Sequence, residues 1–314
     1  MNNIINYFSE NIRQALIGID LGNLEEVRLR VNKPIILKYH MNELILKYIL
    51  NSSDILETLE HICENSIYSY KNQMCNGYIT IQGGHRVGIS GNVILEEDKV
   101  INIKYLSGLN FRIARQVIGC SNKIIKHIID YKNKTIFNTL IVSSPGCGKT
   151  TILRDTIRQI STGIEGAFDG INVGLVDERG EIAAMYKGVS QNDIGMRTDI
   201  LDNVPKHIGM KMLIRSMSPK VISTDEIGSY DDVIAINYAI CSGVKGIFTA
   251  HGNSLKDLTL NPALNEILNK NLFEKVICLG RNITPGEIES IYFLDKNDCV
   301  YKEYREEKRF VINI

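Results

Sequence analysis

The stretch Ser143-Ser144-Pro145-Gly146-Cys147-Gly148-Lys149-Thr150-Thr151 joins the apolar run Leu140-Ile141-Val142 to a segment with helical patterning. Residues of these types in this order hold phosphate. Glycines let backbone N–H groups curl around an anion, a lysine reaches the β and γ oxygens, and a hydroxyl ligates Mg2+. Gly146 and Gly148 supply the curl, Lys149 the charge and Thr150 the metal hydroxyl. Thr151 follows at the helix start, where free amides and the helix dipole favour an anion. Ser144, Pro145 and Cys147 complete the cradle. Ser143 stands where the P-loop pattern G-x-x-x-x-G-K-[ST] has its first glycine, and Pro145 stiffens the approach. Cys147 reads as a tolerated small residue, since only a perturbed, exposed thiolate is reactive.

Hydrolysis of a nucleotide also needs an acid near Mg2+ and a group that positions water. Val221-Ile222-Ser223-Thr224-Asp225-Glu226 is an apolar strand ending in two carboxylates. Asp225 is the candidate for the Mg2+ shell and Glu226 for polarising the attacking water. Asp177 and Glu178 end another strand, in Leu175-Val176-Asp177-Glu178-Arg179-Gly180-Glu181, and His251 ends Ile247-Phe248-Thr249-Ala250-His251 as a candidate sensor. In an open α/β sheet, the carboxyl ends of the strands form the site. Charge on the transferring phosphoryl must be met by a cation. Arg112, Arg197 and Arg215 are the candidates, from the same or a neighbouring subunit, although each could equally be a surface or ion-pair residue.

The elements that must position these residues fall into two patterns. In the first third, helical spacing joins Ile4, Ile5, Phe8, Ile12 and Leu16, and Val27, Leu29 and Val31 alternate as in a half-buried strand that Pro34 stops. A helix capped by Ser53 runs through Ile55, Leu56, Leu59 and Ile62. A hairpin follows from 78–81 to 86–89 around Gly83 and Gly84, with 92–95 as a third strand. From about residue 112, strand-like runs at 139–142, 172–176, 221–224, 246–249, 275–279 and 291–294 alternate with helical patterns. Such alternation predicts a mainly parallel sheet. The expected organisation is α/β: a small α+β domain over 1–112 and a P-loop NTPase domain over 113–314, with the boundary near 110–119.

Composition narrows the function. A chain of 314 residues accommodates two domains of ordinary size. Lys plus Arg (36) balance Asp plus Glu (36), so no overall field favours nucleic acid as a partner. Seven scattered cysteines, none at C-x-x-C spacing, argue against zinc and disulfide frameworks. No apolar run approaches the ~20 residues that span a bilayer, and the N-terminus lacks the pattern of a secretory signal. The expectation is a cytoplasmic protein with no transmembrane segment.

Together these motifs resemble the secretion ATPase superfamily, the hexameric motors of type II and type IV secretion and of type IV pili. Asp177 to Glu181 resembles its Asp box, Pro219 to Ser229 its Walker B segment and Ser242 to His251 its His box. This chain departs at Asp225, which replaces a Gly, at Gly228, which replaces an Arg, and at Val244, which stands for the first His of the His box. In Glu26-Val27-Arg28-Leu29-Arg30, Gly77-Tyr78-Ile79-Thr80, Gly83-Gly84-His85-Arg86-Val87-Gly88, Asn110-Phe111-Arg112-Ile113-Ala114 and Arg197-Thr198-Asp199, the chain closely resembles the stage III sporulation protein AA family over nearly its whole length. The resemblance implies a RecA-like ATPase using ATP and Mg2+ and assembling as a hexameric ring. It further implies a place on the mother-cell cytosolic side of the mother cell–forespore channel, against a membrane partner resembling stage III sporulation protein AB. A domain motion would hinge near residues 110–115. Rival readings are another ring NTPase acting on nucleic acid and an ATP-binding switch with little turnover. His85 and Arg86 belong to the family's N-terminal motif, with a turn-stabilising role as one reading.

Overall fold

Ile4, Phe8, Ile12 and Leu16 are all buried, through a 3-10 turn at Ile4–Tyr7 and the short helix α1 (Glu10–Ala15). The computed structural model describes residues 4–280, 286–295 and 297–304. The chain divides into two units, Met1–Arg115 with Ala184–Asn192, and Gln116–Ala183 with Asp193–Ile314. A single cut near 112 does not capture the excursion at 184–192. Its two short strands, Met185–Tyr186 and Val189–Ser190, pair as a hairpin within the first unit.

In the first unit, β1 (Leu24–Arg30) buries Val27 and Leu29 on its inner side, as its alternation requires. Pro34 opens β2 (Pro34–Tyr39), and the chain turns before it through Asn32 at φ +58°. The helix α2 (Ser52–Ile62) starts two residues earlier than a Ser53 cap would place it. Asn51 accepts from the Asp54 N–H while Asp54 accepts from the Asn51 N–H, each at 2.9 Å, which is a capping box. With β3 (Glu43–Ile49), α3 (Lys71–Cys75), β4 (Tyr78–Thr80), β5 (Arg86–Glu96) and β6 (Lys99–Arg112), the strands form an antiparallel sheet in the order β3-β2-β1-β6-β5-β4. Residues 92–95 are not a separate strand. They continue β5 past a register shift between Ser90 and Asn92, where a bulge bends one long strand. The β4–β5 turn is tied down by His85, whose Nδ1 accepts from the Ala114 N–H at 3.1 Å, and Arg86 lies 4.1 Å over the Tyr78 ring.

The second unit contains α4 (Asn122–Ile128), β7 (Thr139–Ser143), α5 (Lys149–Thr162), β8 (Val173–Asp177), β9 (Thr198–Asp202), α6 (Lys206–Met217) and β10 (Val221–Thr224). It continues with α7 (Tyr230–Cys241), β11 (Lys245–His251), α8 (Leu255–Leu258), α9 (Pro262–Asn269), β12 (Lys275–Gly280), β13 (Glu287–Asp295) and β14 (Val300–Glu303). The eight strands are ordered β9-β8-β10-β11-β7-β12-β13-β14. From β9 to β12 every pairing is parallel, and β13 and β14 add antiparallel. Every residue of β7, β8 and β10 is buried, as strands covered by helices on both faces must be. Met210 and Leu213 of α6, Val233 and Ile236 of α7, and Leu264 and Ile267 of α9 share one core with Val142, Val176, Ile222 and Phe248. The strand β9 escapes a reading by apolar runs, because Thr198-Asp199-Ile200-Leu201-Asp202 is a half-buried edge with three polar residues.

Candidate functional site

The parallel order brings the carboxyl ends of β8, β10, β11 and β7 side by side, so Asp177, Asp225, His251 and Ser143 arrive at one sheet edge. The loop after β7 turns through Gly146 at φ +78° and Gly148 at φ +79°, and Gly148 caps α5 in the left-handed region. A Cβ at Gly146 would meet nothing within 4 Å, so glycine is required there by backbone conformation rather than by space. Ser144 Oγ meets Asn253 Oδ1 across the cradle.

Lys149 is buried, with Nζ 3.3 Å from the Ser143 carbonyl and 2.9 Å from His251 Nδ1. Burial lowers its pKa, and the Glu226 and Asp225 carboxylates oppose that shift. With Lys149 donating to Nδ1, the imidazole proton is assigned to Nε2, which faces Glu226 Oε1 at 3.1 Å. The other Glu226 oxygen, Oε2, accepts from Arg179 Nη1 at 2.6 Å. Lys149, His251, Glu226 and Arg179 therefore form one continuous polar chain. Glu226 sits at φ +49°, and Thr249 holds that conformation: its Oγ1 accepts from the Glu226 N–H at 2.9 Å and its carbonyl from the Ile227 N–H at 2.8 Å. Such a φ is unfavourable for a residue with a Cβ and persists only where the surroundings enforce it.

Asp225 is 1% exposed, and among the described residues neither carboxylate oxygen has a hydrogen-bond partner. Burial, followed by the charges of Asp177, Glu226 and Glu181, pushes its pKa up to about 7, with Lys206 pulling the other way. A buried carboxylate with unsatisfied oxygens is costly unless a cation completes it. Facing a P-loop, this orphan oxygen pair fits a divalent ion held through water, with the Thr150 hydroxyl as the second protein group.

The other acids of the site are engaged differently. Asp177 is fully buried and accepts from the backbone N–H groups of Glu181, Ile182 and Ala183 at 2.8, 3.0 and 2.8 Å. It organises the loop after β8 instead of opening its oxygens to a ligand. Arg154 of α5 donates to the Ile182 and Glu181 carbonyls at 2.7 and 2.5 Å, fastening the same loop to the P-loop helix. Glu178 pairs with Lys206 at 2.9 Å.

Of the candidate arginines in the second unit, Arg197 and Arg215 do not gather at this edge. Arg112 ends β6 in the first unit and is exposed. Arg197 precedes β9 and donates to the Ser161 and Thr162 carbonyls at the end of α5. Arg215 lies exposed in the last turn of α6, which runs from the carboxyl end of β9 to the amino end of β10. Within its own subunit, each of the last two lies at the amino edge of the sheet, opposite the P-loop. The residues that sequence reasoning passed over are Arg179, Lys206, Thr249 and Asn253. Arg179 carried a signal, since it lies inside the acidic stretch that ends β8.

A P-loop on a mainly parallel sheet, with acids and a histidine on neighbouring strand ends, defines a RecA-like P-loop fold. The chain belongs to the family described as Sporulation stage III, protein AA, which matches residues 1–298. It is 38% identical over 300 residues to the stage III sporulation protein AA of Bacillus subtilis (strain 168), covering 95% of this chain and 96% of that one. Its fold is similar to that of the ATPase DotB of Yersinia pseudotuberculosis, with a TM-score of 0.59 at 13% identity over 92% of this chain and 81% of that one. It is also similar to the pilus retraction motor PilT with bound ADP, with a TM-score of 0.53 at 14% identity over 85% and 76% of the two chains.

Proposed function

We propose that the protein binds and hydrolyses Mg-ATP and uses the cycle to drive or assemble a membrane-associated machine. The observation that carries this reading is the buried, unpartnered Asp225 carboxylate beside the Lys149–His251–Glu226 chain at the P-loop edge. Bound Mg-ATP would supply the transferable phosphoryl group and the divalent charge that satisfies Asp225. The backbone of Ser144, Pro145, Gly146, Cys147 and Gly148, with Thr151, cradles the phosphates, Lys149 neutralises the β and γ oxygens, and Thr150 and Asp225 hold the metal shell. Glu226 orients and polarises the attacking water, and His251, touching both Glu226 and Lys149, senses the γ position.

Family membership supports the wider setting: a homo-oligomeric ring, hexameric as in the secretion motors, working on the cytosolic face of the mother cell–forespore channel. The membrane attachment would come from a platform partner resembling stage III sporulation protein AB, since no described helix is long and apolar enough to cross a membrane. Fluorescent-ATP binding and phosphate release test the assignment together. Lys149→Ala should lose binding, whereas Glu226→Gln should keep it and slow release by about 10²-fold or more, the usual range for removing a general base. A Glu226→Gln protein with both properties unchanged would refute the role given to Glu226.

A further inference from the structure

The Glu226 carboxylate is held from two sides, and only one of them belongs to the sites already assigned. Oε1 faces His251, which is shared with Lys149, while Oε2 accepts from Arg179 at 2.6 Å. Arg179 comes from the loop after β8, and that loop is unusually well fixed. The Asp177 carboxylate gathers the N–H groups of Glu181, Ile182 and Ala183, the Asp177 carbonyl accepts from the Gly180 N–H at 3.2 Å, and Arg154 of α5 clamps two of the loop's carbonyls. The guanidinium is thus presented by a loop braced to the P-loop helix, onto the adjacent strand end.

We propose that Arg179 is the positioning residue for Glu226: it fixes the carboxylate rotamer so that the oxygen shared with His251 faces the γ-phosphate side of the cradle. The inference rests on the hydrolytic reading above. The ion pair is partly exposed, with side chains 58% and 20% accessible, so it contributes little to stability. Its effect lies in geometry, where a displacement of about 1 Å in a reacting group costs on the order of 10²-fold in rate. Loss of Arg179 leaves Glu226 free to rotate about its side chain while its strained backbone stays fixed by Thr249.

The test is a double-mutant cycle on the full chain, read as kcat, KM for Mg-ATP and the Kd of a fluorescent ATP analogue. Arg179→Ala should lower kcat by about 10- to 100-fold with KM and Kd within twofold of wild type. Arg179→Lys should recover part of that loss, because it restores one donor. In a Glu226→Gln background, Arg179→Ala should cost nothing further, since its effect runs through the carboxylate. An equal loss in both backgrounds, or a weakened Kd with kcat intact, overturns the inference and makes Arg179 a direct phosphate contact. A wild type with turnover that Arg179→Ala matches overturns the inference alone. A wild type that binds the analogue without turnover overturns the hydrolytic reading and this inference with it.

Discussion

Asp225 concentrates the electrostatic cost of the site in one residue. Its pKa of about 7 lies above the ordinary 3.8, because the fold buries it beside other carboxylates. A raised acid pKa means that the native state holds the proton more tightly than the unfolded chain. The stabilising contribution is therefore complete below about pH 4 and is lost as pH rises through about 7. Replacing Asp225 with Asn removes the charge and keeps the shape. In the absence of Mg2+ and nucleotide, the melting temperature of Asp225→Asn should exceed that of wild type by a margin that grows from pH 5 to pH 8. At the upper end the gain should be on the order of a few kcal/mol. A margin independent of pH would mean that Asp225 is ionised throughout. Adding Mg2+ with nucleotide should favour wild type only, because Asn offers no charge to the metal shell.

At the scale of elements, the P-loop helix depends on a buried anchor. Asp155 of α5 is 1% exposed and accepts from the Gly119 N–H, from the Ser121 N–H at 2.8 Å and hydroxyl at 2.7 Å, and from Arg158. Burial by itself would raise its pKa, but these hydrogen bonds outweigh it and lower the value. Asp155→Ala leaves several buried donors, one of them charged, without an acceptor. The expected loss is about 3 kcal/mol or more, visible as a lower urea midpoint for the second unit. An unchanged midpoint would mean that α5 is held by its apolar face alone. Gly195, at φ +87°, shows how closely the chain packs at the opposite end of α5, since a Cβ there would lie 2.7 Å from the Arg158 carbonyl.

At the scale of the whole molecule, the placement of Arg197 and Arg215 decides how either could serve catalysis. Both lie at the amino edge of their own sheet, so any action on a phosphate must reach the P-loop of another subunit. On the proposed ring, mixing Lys149→Ala with Arg215→Ala protein should then restore hydrolysis that neither variant has alone, because mixed assemblies would contain interfaces with both intact groups. Absence of rescue, with mixed assemblies verified by size, would remove Arg215 as a group acting across subunits. Arg197 is a poorer probe: its guanidinium already serves the last carbonyls of α5, so Arg197→Ala is expected to lower stability as well. The chain passes between its two units at 115/116, 183/184 and 192/193. A hinge confined to 110–115 would therefore have to be accompanied by bending at the ends of the 184–192 hairpin.

Some features are legible in the residues alone because their causes are local. A Gly-Lys-Thr-Thr loop can follow a buried strand only with particular backbone angles, and the apolar runs at 139–142 and 221–224 are continuous because parallel strands bury both faces. Strand ends that carry acids are likewise visible in order along the chain. Which acid keeps free oxygens is not visible. Asp177 and Asp225 occupy equivalent strand ends, yet one is saturated by the turn that follows it and the other is left without partners. Residues 184–192 carry no compositional mark of belonging with the first unit. Arg179 and Glu226 stand 47 residues apart and meet only because β8 and β10 are parallel neighbours. The sequence by itself determined the phosphate loop and the alternation of strands and helices, since both follow from backbone angles and periodicity. The tertiary structure decided which charges pair and which are buried without a partner, because pairing depends on strand order, which no local pattern encodes.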